Sequence, residues 1–198
     1  MPDVKHFDPD AVLEQVERLF WQRGTATTGI AEVVAATGLS RSSLYATFGG
    51  KRELYVKALR RYVERRSAPV VQALAADGRG LAAVEAFFDR LIEARCAGEH
   101  ARWGCMVANA HTGAEGGDPE VREVLDQHQE RLRAALRAAL EPARDRLRPG
   151  TDPDAAAEML TLLAYGVNLR SRAGADPGVL RRGVAAAIDS LRPTEEHP

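Results

Sequence analysis

The chain has 198 residues, a formal net charge of −1, 45% hydrophobic residues and only 6% aromatics. That length allows a sizeable core in one domain or two small ones, and the dominance of Ala, Leu, Arg and Glu favours an all-α protein. No run of about 18 apolar residues is present to span a membrane, the acid-bearing N-terminus lacks the apolar centre of a secretion signal, and the two cysteines, Cys96 and Cys105, make neither a disulfide framework nor a metal motif; the expectation is a cytoplasmic protein with no metal and no cofactor.

Asp8 and Pro9 open the first predicted helix, over residues 8–23, as N-cap and first helical residue. Val12, Val16, Leu19 and Phe20 share one face, and Gly24 ends the helix. Trp21 reads as a packing residue rather than a nucleic-acid contact, because large aromatics usually bury. A short helix follows over residues 29–37, with Thr28 as the expected N-cap, Ile30, Val33 and Val34 as an apolar stripe, and Gly38 at the left-handed position after the last turn.

Ser40 caps a third helix over residues 41–47. Its inner face is Leu44, with Phe48 at i+4; its outer face is Arg41, Ser42, Ser43, Tyr45 and Thr47. Such an outer face buries little apolar area and suits hydrogen bonding to base edges and phosphates in a major groove. Lys51 starts a long fourth helix, to about residue 74, along which Leu54, Ala58 and Tyr62 continue an apolar stripe. A lysine at a helix N-terminus disfavours the isolated helix, and a bound phosphate would account for it; the alternative is a solvated surface lysine. Residues 41–66 carry eight basic and two acidic residues, a local charge of +6 that leaves −7 for the remainder. A local basic field beside a near-neutral body is the distribution expected of a DNA reader with a second task.

Beyond a turn at residues 77–80, residues 81–97 form a helix with Val84, Phe87, Phe88, Leu91 and Ile92 apolar over more than half its girth, which places it in the interior. A short helix is expected over residues 104–112. Asp118 and Pro119 start a long one, to about residue 144, striped by Val121, Val124, Leu125, Leu132, Leu136 and Leu140; His128 falls on that stripe and reads as a core histidine with one hydrogen bond. Asp152–Pro153 and Asp176–Pro177 start the last two helices, over residues 153–173 and 177–191. Their apolar stripes exceed what one exposed layer requires, so they mark an association surface. Residues 193–198 form a polar tail expected to be disordered.

The ordered set Ile30, Gly38, Leu39, Ser40, Leu44, Tyr45, Phe48, Lys51 and Leu54 closely resembles the helix-turn-helix of TetR-type transcriptional regulators. The resemblance covers about the first quarter of the chain strongly and the rest only in helix count and length. It implies an all-α fold of about nine helices: a helix-turn-helix DNA-binding domain at residues 1–50, joined by a long helix to a helical ligand-binding and dimerisation domain at residues 51–198. It also implies a ligand-responsive regulator, a repressor by expectation, that binds a pseudo-palindromic double-stranded operator as a homodimer and releases it when a small molecule acts on the C-terminal domain.

On the resemblance, Arg41 and Tyr45 would touch bases or the adjacent backbone, and Thr28, Ser40, Ser43, Thr47 and Lys51 would hold phosphates, with Ser42 on the same face. Gly29, where many relatives place a larger polar residue, leaves the operator sequence open. The effector pocket is expected among the helices of residues 81–173, lined by Phe87, Leu91, Trp103, Cys105, Met106, Asn109, Met159, Leu163 and Tyr165; a mostly apolar lining predicts a hydrophobic or aromatic effector. The dimer interface is expected on the last two helices, at Leu160, Val167, Leu180, Val184, Ile188 and Leu191. Gly104, Cys105, Met106, Val107 and Asn109 resemble a G-C-[LM] run found in a subset of the family, some members of which sense electrophiles or oxidants.

Cys105 thus has two readings: a small packed thiol, or a sensor activated by its place at a helix N-terminus and by Arg102. Two other classes compete with the regulator. An enzyme using Cys105 as nucleophile needs a base and an orienting group; His100, His111 and His128 are available, but no motif ties them to it. A DNA-binding helical bundle without regulation would bind without sequence preference. Neither requires the Ser40–Lys51 pattern.

Overall fold

The computed structural model describes residues 7–193, so all but the first residue of the expected polar tail lies outside the described residues. The helices are α1 (Pro9–Arg23), α2 (Ile30–Thr37), α3 (Arg41–Phe48), α4 (Lys51–Tyr62), α5 (Ala68–Ala76), α6 (Leu81–Cys96), α7 (Met106–Thr112), α8 (Pro119–Leu140), α9 (Pro153–Arg172) and α10 (Pro177–Asp189). A π-helical turn, Val63–Ser67, fuses α4 and α5 into one rod. Counted that way the described residues hold nine α-helical segments, as the sequence leads one to expect.

The π turn was not anticipated, and Pro69 accounts for it. Proline lacks an N–H and its ring crowds the carbonyl four residues back, so the helix before it must open. The chain widens by one residue, and the Ala68 N–H bonds to Val63 O.

Helix starts follow their caps. The side chains of Asp8, Ser40, Asp118, Asp152 and Asp176 each accept from a first-turn amide. At α2 the expected cap is displaced by one residue. Gly29 occupies the N-cap position, and Glu32 reaches back to accept from its N–H at 2.8 Å. The Thr28 side chain points the other way: it is fully buried and its hydroxyl donates to Gly24 O at 2.7 Å. Gly38 adopts φ 69°, the left-handed geometry that lets the chain turn from α2 into α3.

Two apolar cores fill the molecule. The first gathers Val16, Phe20, Val33, Leu44, Phe48 and Leu54 from α1–α4 with Met106, Val107, Val121 and Leu125 from α7 and the start of α8. The second gathers α5, α6, the rest of α8, α9 and α10. Long-range ion pairs join the layers. Glu17, wholly buried on α1, accepts from Arg61 at 2.7 Å and from Arg66 at 2.5 Å, pinning α1 to the end of α4 and to the π turn itself. Arg52 pairs with Asp118 and, at 3.1 Å, with Glu120, which fixes the start of α4 against the start of α8; Arg52 is the main cause holding the Asp118 carboxyl below its ordinary pKa.

The expected dimer contacts are overturned here. Leu160, Val167, Leu180, Val184, Ile188 and Leu191 are all buried inside the protomer, between 0% and 7% exposed, as part of the second core. Their stripe faces α6 and α8 of their own chain. The large apolar residues left outside on these helices are Leu162 (64% exposed), Leu169 (41%) and Val179 (43%). No described helix is long and apolar enough to cross a membrane.

Candidate nucleic-acid interface and effector cavity

The α2–turn–α3 unit presents one short helix outward. Leu44 and Phe48 are buried against α1, α2 and α4, at 1% and 4% exposure; each such side chain stabilises the docked helix by about 1.5–3 kcal/mol. That burial rotates Arg41, Ser42 and Tyr45 into solvent, with Ser43 and Thr47 half-buried at the edge. Ser40 Oγ accepts from the Ser43 N–H at 3.1 Å and lies 2.9 Å from the hydroxyls of Ser42 and Ser43. The Arg41 guanidinium lies over the Tyr45 ring, 5.6 Å from its centroid, and the two form an outward pair one helical turn apart.

The neighbouring basic residues are less free than the count of +6 suggests. Arg52, Arg61 and Arg66 are paired with carboxylates and Arg60 lies 3.7 Å from Glu120. Lys57 Nζ donates to Phe48 O at 2.9 Å, and Lys51 Nζ donates to Thr25 O at 2.6 Å. Lys51 therefore ties the start of α4 to the loop before α2, which neither reading of that lysine foresaw. Thr28, with its hydroxyl committed and its side chain covered, is removed from the phosphate-holding set.

A cavity of about 530 Å³ opens between α5, α6, α8 and α9, with Trp21 and Tyr62 at its inner end. Helical periodicity sets its walls: Phe87, Arg90, Leu91, Ala94 and Arg95 from one face of α6, His128 and Leu132 from α8, and Ala164 and Asn168 from α9. The fourth wall is the π turn and α5, through Arg66, Ser67, Val70 and Leu74, which lies outside the expected span of residues 81–173. Among the residues that line it there are three arginines and no carboxylate.

Of the nine expected lining residues, Phe87, Leu91 and Cys105 reach the cavity, and six do not. Met106 is 1% exposed in the first core. The Asn109 amide donates to Trp103 O at 2.9 Å, closing the loop before α7. Trp103 packs edge-on to Trp21 and His100. Met159, Leu163 and Tyr165 pack into the second core, because α9 turns Ala164 and Asn168 to the cavity instead. Arg66, Arg90 and Arg95 were missed; the signal was two arginines, Arg90 and Arg95, at i+3 and i+8 from Phe87 on a face read as interior.

Around the inner end the polar groups are tightly arranged. Arg95 Nε donates to Asn168 Oδ1 at 2.7 Å and Nη2 to the Tyr62 hydroxyl at 3.2 Å. Burial pushes the Tyr62 phenol up, and Arg95 opposes that shift. The Trp21 indole N–H donates to Gly104 O at 2.9 Å, with the His100 ring stacked on it at 4.8 Å and the guanidinium of Arg66 over its face at 5.2 Å. Trp21 is thus the packing residue expected. Gly104 has φ 68°, and a Cβ there would meet Asn109 Oδ1 at 3.0 Å and Asn168 O at 3.2 Å, so only glycine fits. His128 makes two hydrogen bonds rather than one, at 2.8 Å to Ser67 Oγ and 3.4 Å to the Tyr165 hydroxyl, and burial lowers its pKa to about 4.

Residues 12–58 match the description "Bacterial regulatory proteins, tetR family", and residues 80–187, more than half the chain, match "Tetracyclin repressor-like, C-terminal domain". The chain belongs to the TetR family. It is a transcriptional regulator by that membership, and the all-α fold expected from the helix-turn-helix resemblance is the fold found. Among curated relatives, the HTH-type transcriptional repressor ComR of Escherichia coli (strain K12) is 28% identical over 173 residues, covering 86% of this chain and 82% of its own. Among solved TetR-family structures, a cysteine mutant of CifR complexed with 26-bp double-strand operator DNA superposes with a TM-score of 0.81 at 22% identity, covering 93% of this chain and 97% of that one. The reduced form of Escherichia coli NemR superposes with a TM-score of 0.76 at 21% identity, covering 92% and 96%.

Proposed function

We propose that this TetR-family chain is a ligand-responsive, cytoplasmic repressor that binds a pseudo-palindromic operator as a homodimer and lets go when a small molecule fills the α5–α6–α8–α9 cavity. The observation that carries this reading is the outward face of α3. A capped eight-residue helix, seated by Leu44 and Phe48, offers Arg41, Ser42 and Tyr45 to solvent with Ser40, Ser43 and Thr47 at the edge. Arg41 and Tyr45 address base edges; Ser40, Ser43 and Thr47, together with the first-turn amides of α3, hold phosphates. Lys51 contributes to the phosphate contacts only by giving up Thr25 O.

The head, residues 1–50, is carried by a body, residues 51–198, through the α4–α5 rod. Pairing of two protomers uses the outer faces of α9 and α10: Leu162, Gly166 and Leu169 lie within two turns of one another on α9, Val179 is exposed and Gly183 lies one turn further along α10, and a Cβ on either glycine would meet nothing within 4 Å. Two heads then reach successive major grooves, one helical turn of duplex apart.

A second route of release is favoured by one specific observation. Cys105, 6% exposed, lines the same cavity as Arg95. A thiol-reactive compound entering the cavity would reach Cys105 and Arg95 together.

Selection of random duplexes against the purified protein, followed by a titration of the recovered site, tests the function. A two-half-site motif with affinity that falls steeply with salt is expected; binding without sequence preference overturns regulation in favour of a structural DNA-binding bundle.

A further inference from the structure

We infer that the effector is an organic anion, an apolar body carrying one carboxylate, and that Arg95 is its anchor with Arg90 as the outer attractor. This rests on the reading of the cavity as the effector site and names the chemistry of what enters it. The apolar wall is real: Val70, Leu74, Phe87, Leu91 and Leu132 give it a hydrophobic floor. What that wall does not explain is the charge. Arg66 is neutralised by Glu17 at 2.5 Å. Arg90 and Arg95 have no carboxylate within 4.0 Å among the described residues; Arg90 Nε donates only to Ala86 O, at 3.0 Å, and Arg95 only to the neutral oxygens of Asn168 and Tyr62.

An enclosed guanidinium facing neutral acceptors is under-compensated, since removal from water costs several kcal/mol that a formal counter-ion ordinarily offsets. A planar carboxylate is the partner that its fork of donors fits best. His100 adds a further polar position: Nε2 is buried without a hydrogen-bond partner among the described residues, 4.0 Å from Glu99 Oε2. A cationic ligand would meet three arginines, and a purely apolar one would cover Arg95 without supplying a counter-ion.

The anchor also suggests how occupancy is transmitted. A carboxylate on Arg95 competes with the Tyr62 hydroxyl, the last residue of α4, and the Arg66–Ser67 stretch of the same wall is the π turn, where the rod's hydrogen bonding is already open. A ligand that prefers the geometry with this contact broken shifts the population of rod positions, and with it the spacing of two heads.

The test uses the full chain and matched pairs differing only in charge: phenylacetate against phenylacetamide, and decanoate against decanamide, titrated by calorimetry. Each carboxylate is expected to bind at least about tenfold tighter than its amide. Arg95→Met is expected to abolish that preference, the carboxylates falling to or below the affinity of their amides. Should that variant not fold, Arg90→Met, at an exposed position, is expected to reduce the preference several-fold. Amides that bind as tightly as carboxylates, no binding by any of the four up to about 10 mM, or a preference that survives both substitutions would overturn the inference. Operator release is read separately. Carboxylate binding without release leaves the ligand chemistry standing and removes the regulatory reading; release by the amides alone does the reverse.

Discussion

Arg95 Nη2 donates to the Tyr62 hydroxyl at 3.2 Å, and the bond links the cavity wall to the far end of α4, about 16 Å along the rod from Lys51 and the reading head. Tyr62 is 1% exposed and has the Trp21 ring edge-on at 5.0 Å, so removing its hydroxyl changes one polar contact and little packing. Tyr62→Phe is expected to lower stability by about 1 kcal/mol in urea unfolding and to alter operator affinity without any ligand, because the rod loses its tie to α6. Operator affinity equal to that of the wild-type chain would show that this contact does not report to the head.

Arg41 and Tyr45 are exposed and contribute nothing to the core, so their replacement separates binding from folding. Arg41→Ala and Tyr45→Ala are each expected to weaken binding to the selected operator by about 1–3 kcal/mol, with the unfolding midpoint unchanged within error. Thr28→Ala, by contrast, removes a buried hydroxyl from Gly24 O and is expected to cost about 1–2 kcal/mol of stability. If Thr28→Ala reduced operator affinity at unchanged stability, its assignment as an internal tie would be wrong.

Much of the head was legible because its determinants are local. Ser40, Gly38 and the Leu44–Phe48 pair fix a cap, a left-handed turn and a buried face within eleven residues, and none of these depends on distant chain. Long-range pairing was illegible. Nothing near Arg52 announces Asp118, and nothing near Arg61 announces Glu17 as its partner across 44 positions, so the basic count overstated the field at the head. The cavity was partly legible for a related reason. Periodicity identified α6 and α9 as helices with apolar faces, but which residues border a void depends on helix rotation, and one wall exists because Pro69 opens a π turn.

The dimer face shows why an apolar stripe is ambiguous. Leu180, Val184 and Ile188 repeat as an interface stripe would, yet the same repeat serves a protomer's own core. The informative residues were the apolar ones off that stripe, Leu162, Leu169 and Val179. Leu162→Glu with Leu169→Glu is therefore expected to give folded monomers in light scattering, with the helical circular dichroism retained. Leu180→Glu buries an unpaired charge and is expected to cost more than about 3 kcal/mol and unfold the chain. A dimer that persists in the double variant would move the interface to another face.

Cys105 separates the two routes of release. Cys105→Ser is expected to abolish any loss of operator binding caused by a thiol-alkylating reagent while leaving binding of a carboxylate intact, since Arg95 and the apolar wall remain. A reagent response that survives in the variant removes Cys105 as a sensor and directs attention to Cys96, a half-buried residue whose thiol is pushed up by burial.

His128 gives the molecule a pH dependence with a defined sign. Burial is the main cause that brings its pKa from an ordinary 6.5 to about 4, with His111 and Arg131 adding repulsion. In the folded state the ring stays neutral down to about that value, whereas the unfolded chain takes up the proton as pH falls below 6.5. The unfolded state thus binds more protons between 6.5 and about 4, and stability falls across that window as the solution is acidified; above 6.5 the contribution is complete. The loss attributable to His128 amounts to at most about 3 kcal/mol. Urea unfolding of the wild-type chain and of His128→Gln, measured above pH 6.5 and again near about pH 5, checks this. The difference between the two proteins is expected to narrow on acidification, because glutamine can occupy the site beside Ser67 and has no proton to gain. Parallel pH profiles for the two would mean that the imidazole is not the group whose protonation opposes folding, and that the Ser67 contact holds the π turn equally well in either charge state.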